Sequence, residues 1–262
     1  MTQLTAISLK THADRNWQRY RSYAFAAHRQ LIPALATELL KLVPTMPLGF
    51  IEHEARFYLY AMTAPQPDGN LFVAPDGRWL AGYVPAILRS HPFALVRPEG
   101  ASESILCIDE SSGLMTAAGT GEPFFSQDGQ PAPGIRDVLN FLMRIEQDRA
   151  LTQTMVDALQ AAGVIQPWPI TLNQAGVTVS VDGICRVDET ALNALDADHW
   201  LALRQTGALP LAYAQLFSMN QLALLEQVGA AQAQMPRSQP RSPSLQDLGL
   251  SFGDEDSLRF DW

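Results

Sequence analysis

Hydrophobic and polar positions along the 262 residues follow two periods, one near 3.6 and one of 2. Leu31, Ala34, Leu35, Leu39 and Leu42 recur at helical spacing and predict a helix over Gln30–Leu42, ended by Pro44 and Pro47. Ile135, Val138, Leu139, Leu142, Ile145, Leu151, Met155, Val156 and Leu159 predict a long helix or two abutting ones, with Gly163 as C-cap. Glu189–Leu195 and Ala197–Thr206 read as short helices. Leu209–Val228 reads as one more, with Pro210 in its first turn. Short runs predict strands at Thr5–Lys10, Leu48–Ile51, Arg56–Thr63, Phe93–Val96, Ser104–Ile108, Ile170–Leu172, Val177–Val181 and Ile184–Val187. Asp68-Gly69 and Asp76-Gly77 bracket Leu71–Val73 as a small meander. Asp182-Gly183 reads as a hairpin turn. One or two helical turns are expected over Val84–Ser90.

The elements imply an α+β fold: a mostly antiparallel sheet of several short strands with flanking helices, plus a flexible C-terminal tail. We read one domain over residues 1–229. A Pro/Ser/Gln-rich linker covers 230–245, and an acidic segment with a hydrophobic tip covers 246–262. The tip carries Leu258, Phe260 and Trp262. In an extended chain these point to one side and fit strand addition on a partner or on the protein's own body.

Charge then narrows the partners. The net charge of −9, with no basic stripe, argues against nucleic acid and against an anionic membrane surface. No run reaches the ~18 apolar residues of a membrane span. The N-terminus lacks a basic region followed by an unbroken apolar core, so the expected compartment is the cytoplasm. Export through a C-terminal signal is the alternative. Cys107 and Cys185 sit in apolar strand-like runs and read as buried thiols, with a disulfide between them left open.

Catalytic patterns are sparse. His12, His28, His53, His91 and His199 are scattered and match no zinc spacing. His53-Glu54 would point to opposite faces of a strand. No G-x-S-x-G is present, and Gly119-Thr120-Gly121 reads as a turn. Asp109, ending ILCIDE, is a candidate acid/base or a cap. The stretch GRWLAGYVPAILRSHPF gathers Arg78, Trp79, Tyr83, Arg89 and His91, residue types of interface anchors and ligand stacking as well as of polar-tipped cores. Arg78, Trp79, Tyr83, Arg89 and Asp109 are therefore the candidate ligand or interface residues. No cofactor and no metal are expected.

DGNLFVAPDGRWLAGYVPAILRSHPFAL, ILCIDE and GEPFFSQDGQPAPGIRDVLNFL resemble the bacterial SapC family. QPWPITL, DGICRVDETALNAL and GALPLAYAQLFSMNQLALL extend the resemblance, in order, from about His12 to Leu225. The ending DSLRFDW looks like that of some SapC-like chains, with Trp262 where Phe is more usual. The resemblance implies association with a bacterial surface layer. It also implies a gene neighbourhood of cupin-like dioxygenases, flavin-dependent tryptophan-halogenase-like proteins and TonB-dependent receptors. It supplies no catalytic residues to carry over.

The resulting expectation is a non-catalytic accessory protein of surface-layer or nutrient-uptake systems. It acts through a protein partner, with the tail as a docking element and homo-oligomerisation left open. One alternative is an enzyme or ligand-binding subunit working with a neighbouring oxygenase or halogenase. The other is an exported surface-layer structural protein.

Overall fold

The longest apolar repeat, Ile135 to Leu159, is one unbroken helix in the computed structural model, which describes residues 3–67, 69–98, 100, 103–174 and 177–234. In chain order the described elements begin with β1 (Leu4–Ala6), α1 (Leu9–His12), β2 (Arg15–Trp17) and β3 (Leu31–Pro33). They continue with α2 (Leu39–Leu42), β4 (Leu48–His53), β5 (Arg56–Met62), α3 (Ala86–Arg89), β6 (Phe93–Val96) and β7 (Ile105–Asp109). Next are β8 (Met115–Ala117), β9 (Glu122–Pro123), α4 (Pro133–Ala161), β10 (Ile165–Pro167), β11 (Ile170–Gln174), β12 (Val177–Val181) and β13 (Ile184–Val187). The helices α5 (Glu189–Asn193), α6 (Ala197–Thr206), α7 (Ala208–Ser218) and α8 (Leu222–Gln234) follow.

Helix α4 is the spine. Pro133 opens it, where a missing N–H costs nothing. Gly163, at φ +67°, closes it: its N–H donates to the Gln160 carbonyl and the Val164 N–H to that of Leu159, a Schellman end. At ~1.5 Å per residue the helix is about 43 Å long and joins two cores. Its first half buries Ile135, Leu142 and Ile145 with Trp17, Phe93, Ile108 and Phe124. Its second half buries Val156 and Leu159 in the larger core around Phe50, Leu59, Trp168 and Leu211.

The larger core backs an antiparallel sheet of order β10-β13-β4-β5-β3. Smaller sheets β1-β7-β6 and β8-β2-β9 flank the first half of α4, and β11 and β12 form a hairpin of their own. This is the α+β arrangement that the sequence predicts, antiparallel in every pairing described.

Local assignments differ in six places. Gln30–Leu42 is not one helix but β3, a 3-10 turn at Ala36–Glu38 and the four-residue α2. Leu31, Ile32 and Pro33 pair with Met62, Ala61 and Tyr60, so edge pairing outweighs the leucine repeat. Thr5–Lys10 is a strand only to Ala6, because the Ser8 carbonyl accepts from the His12 N–H and starts a helical turn. Around Leu71–Val73 the described residues show a bridge from Val73 to Trp79 and no meander, and Asp68 lies outside the described residues. Asp182-Gly183 is a turn, but β12 and β13 do not pair: β12 has five register partners in β11, while β13 is drawn between β10 and β4. The predicted last helix is two, separated by a 3-10 turn at Met219–Gln221, where the Ser218 hydroxyl turns back to the Gln215 carbonyl. Helix α8 then runs past Gly229 to Gln234. Cys107 and Cys185 are free thiols in different sheets, so the disulfide left open is not formed.

Candidate functional site

A single buried carboxylate organises the stretch that the sequence singles out. Glu38, in the 3-10 turn before α2, is only 5% exposed. Its Oε1 accepts from the Tyr83 hydroxyl at 2.5 Å and the Ala86 N–H at 2.6 Å. Arg89 Nη2 stands 3.9 Å from the same oxygen and donates to the Tyr83 hydroxyl at 3.1 Å. Glu38 Oε2 is buried with no hydrogen-bond partner. Tyr83 thus donates to the carboxylate and accepts from the guanidinium. Burial, then the bond to Glu38, pushes the Tyr83 phenol up to about 12, so it stays protonated at neutral pH.

Tyr83 and Arg89 therefore meet, and Trp79 braces them: its indole N–H donates to the Tyr83 carbonyl at 2.8 Å. Arg78 and Asp109 stand apart. Arg78 is 74% exposed and closes its own turn on Asp76 at 2.7 Å. Asp109 Oδ1 accepts from the Gln3 and Ser111 amides and from the Ser111 hydroxyl, capping the end of β7. Burial pushes Asp109 up, but these hydrogen bonds outweigh it and hold it below the usual carboxylate range.

Two hollows open on either side of Arg89. The first, about 350 Å³, is walled by Trp17, Tyr20, Tyr23, His91, Phe93 and Phe141, with Arg19 at its rim. The second, about 240 Å³, is lined by Glu38, Lys41, Tyr83, Arg144 and Asp148. Arg89 and Phe141 belong to both, and the guanidinium lies 5.3 Å from the Phe141 ring centroid and 5.6 Å from that of Tyr83. Lys41 Nζ covers the Tyr83 ring at 5.3 Å. Together they form one cleft with cations over aromatic faces, an arrangement suited to acidic and aromatic groups. Trp17 lines the first hollow, and its indole N–H is buried without a partner.

His91 stacks on Phe25 with centroids 3.8 Å apart. Burial, partly offset by Asp109 and reinforced by Arg29, pushes it below the ordinary histidine value of 6.5. Burial lowers His12 likewise. A lowered folded pKa means the unfolded chain binds more protons between the two values, so stability is full above 6.5 and falls as pH drops below it. Urea unfolding across pH 8 to 5 is expected to show this loss, and His91→Phe, which keeps the stack, to flatten part of it. An unchanged slope in the variant would remove His91 as the cause.

Glu38 lies outside the residues that the sequence singles out. It had a signal: seven residues from Leu31, three from Leu35 and four from Leu42, it falls on the apolar stripe of the predicted helix. A lone carboxylate there requires buried partners. His53 and Glu54 lie at an exposed turn, 3.8 Å apart. Among the described residues no group of three or more His, Cys, Asp or Glu could hold a metal, and no helix is long and apolar enough to cross a membrane. Leu258, Phe260 and Trp262 lie outside the described residues.

A family model described as SapC matches residues 7–225, which takes in both cores and the whole cleft. The chain belongs to the SapC family. No curated protein matches it, and neither does any solved structure. In SapC-family terms, the matched segment ends inside α8, so Glu38, Tyr83, Arg89 and the aromatic walls all lie within the family region and residues 226–262 lie beyond it.

Proposed function

We propose that this SapC-family chain is a non-catalytic accessory protein of a bacterial surface-layer or nutrient-uptake system, acting in the cytoplasm by binding a protein partner. The observation that carries the reading is the make-up of the cleft. Its polar groups are turned on one another: Glu38 holds Tyr83 and the Ala86 amide, and Arg89 spans Tyr83 and Phe141. Tyr83 stays protonated at neutral pH, and burial pushes His91 below the ordinary histidine value. What faces outward is cationic and aromatic, the surface chemistry of an interaction anchor.

A second reading, a ligand-binding subunit beside an oxygenase or halogenase, is favoured by the size of the first hollow and its aromatic walls.

The test is co-purification on the tagged full chain, with captured proteins quantified by mass spectrometry. Arg89→Gln is expected to reduce capture several-fold, and Arg78→Gln, outside the cleft, to leave it unchanged, with melting curves showing both folded. Equal capture by Arg89→Gln overturns the assignment of the cleft. A small molecule retained in native mass spectrometry by the wild type, and lost in Arg89→Gln, turns the conclusion to the second reading.

A further inference from the structure

We infer that the first occupant of this cleft is the chain's own segment 246–262, with the rings of Phe260 and Trp262 entering the hollow between Trp17, Tyr23 and Phe141. The inference rests on reading the cleft as the binding face.

The exit point of the described chain comes first. Near the end of α8, the Gln232 side-chain amide donates to the Leu71 and Val73 carbonyls at 2.8 and 3.1 Å. That pins the helix end against a third hollow, whose lining includes Ala24, Gly77 and Gln232. Ala24 follows Tyr23, which walls the aromatic cleft and whose N–H donates to the Gly77 carbonyl at 2.8 Å. Neighbouring residues of one short segment thus face the two hollows. The end of α8 therefore sits at the third hollow, with Ala24 and Tyr23 between that hollow and the cleft.

Reach and charge come next. Leu258 lies 24 residues beyond Gln234 (258 − 234), a span of up to ~80 Å. A domain of this size has a radius of gyration of about 17 Å, so the cleft is within range. Segment 246–262 carries Asp247, Asp254, Glu255, Asp256 and Asp261 against Arg259, a net charge of −4 (1 − 5). The cleft sets Arg19, Lys41, Arg89 and Arg144 against Glu38 and Asp148; Arg19 is held by Glu122 at 2.8 Å and Arg89 lies 3.9 Å from Glu38, which leaves Lys41 and Arg144 against Asp148, an excess of one positive charge (2 − 1). In a chain of net charge −9 this is a locally cationic surface. Phe260 and Trp262, two residues apart, project to one side of an extended chain and suit aromatic walls; Asp261 projects to the other side, and the acidic run Asp254, Glu255 and Asp256 is the part that suits the cations. A partner would then have to displace the segment, which makes it a competitor for the face it occupies.

The test uses the full chain with a benzophenone amino acid in place of Phe260, irradiated as an equal mixture of isotope-labelled and unlabelled protein. The expected products are cross-links within one chain to residues lining the first hollow. Arg19→Gln with Arg89→Gln, or sodium chloride at about 0.5 M, is expected to lower their yield several-fold. Cross-links between labelled and unlabelled copies make a second copy the occupant and overturn the inference. Cross-links elsewhere on the domain, or none, overturn it too. If partner capture depends on Arg89 while the cross-links miss the cleft, only the tail assignment falls. If the cross-links map to the cleft while capture ignores Arg89, the partner reading falls and the tail assignment stands.

Discussion

Replacing Glu38 with alanine is expected to lower unfolding stability by about 3 kcal/mol, because it strips a buried donor network of its only carboxylate. The Ala86 N–H, 2.6 Å from Oε1 and buried, loses its acceptor. The Tyr83 hydroxyl loses its partner as well, and the Arg89 guanidinium its nearest anion. For a domain of this size that corresponds to a fall in melting temperature of roughly 10 °C. Glu38→Gln keeps an oxygen to accept from Ala86 and Tyr83 and is expected to cost about 1 kcal/mol. The pair separates acceptor geometry from charge. Equal losses in the two variants would show that the charge, not the acceptor, holds the site, and a loss below about 1 kcal/mol in Glu38→Ala would remove Glu38 from its central place.

Gln215→Leu is expected to cost a similar amount, about 3 kcal/mol, by a different route. Gln215 is fully buried on α7. Its Oε1 accepts from the Val187 N–H at 2.9 Å, and its Nε2 donates to the Leu48 carbonyl at 3.0 Å. These two backbone groups belong to β13 and β4, neighbours in the main sheet. The register between those strands covers Ile184 with Ile51 and Cys185 with Phe50, so Leu48 and Val187 lie beyond it. Gln215 completes the pairing from the helix side. Ser218, one turn on, accepts from the Leu48 N–H at 2.9 Å. Leucine fills the same volume and satisfies neither backbone group. Chemical denaturation measures the loss. Ser218→Ala alone is expected to cost about 1 kcal/mol, with a coupling in the double variant because both side chains serve Leu48. Independent, additive losses would mean that the two side chains do not act as one clamp.

Both predictions rest on polar side chains buried among apolar ones, the residues whose roles are least legible in the sequence. Glu38 sits in a leucine-rich run whose period suggests a helix, and Gln215 in a run that suggests an ordinary amphipathic face. Each takes its role from partners far along the chain: Tyr83 and Ala86 for Glu38, Leu48 and Val187 for Gln215. Of the residues singled out from the Arg78–His91 stretch, Tyr83 and Arg89 share one network with Trp79 beside it, while Arg78 closes a local turn. Composition identified the dense stretch but not which members face each other, because the loop's path depends on Glu38.

What the sequence determined by itself is whatever depends on short-range periodicity and backbone chemistry. Helix α4 has a proline where the helix opens and a glycine where it closes. Apolar residues recur along it at helical spacing, and its caps are made by bonds between near neighbours in the chain. The aromatic run Arg56–Met62 is a strand for the same kind of reason, its alternation matching the pleat. The mixed α+β class and the antiparallel preference follow from such segments. The tertiary structure decided which strands pair, where Gln30–Leu42 breaks, that β12 turns away from β13, and which carboxylate is buried. Those outcomes are fixed by contacts between residues tens to more than a hundred positions apart, such as Glu38 with Tyr83 and Leu48 with Gln215. At that separation local propensity is a weak bias beside burial and hydrogen-bond satisfaction.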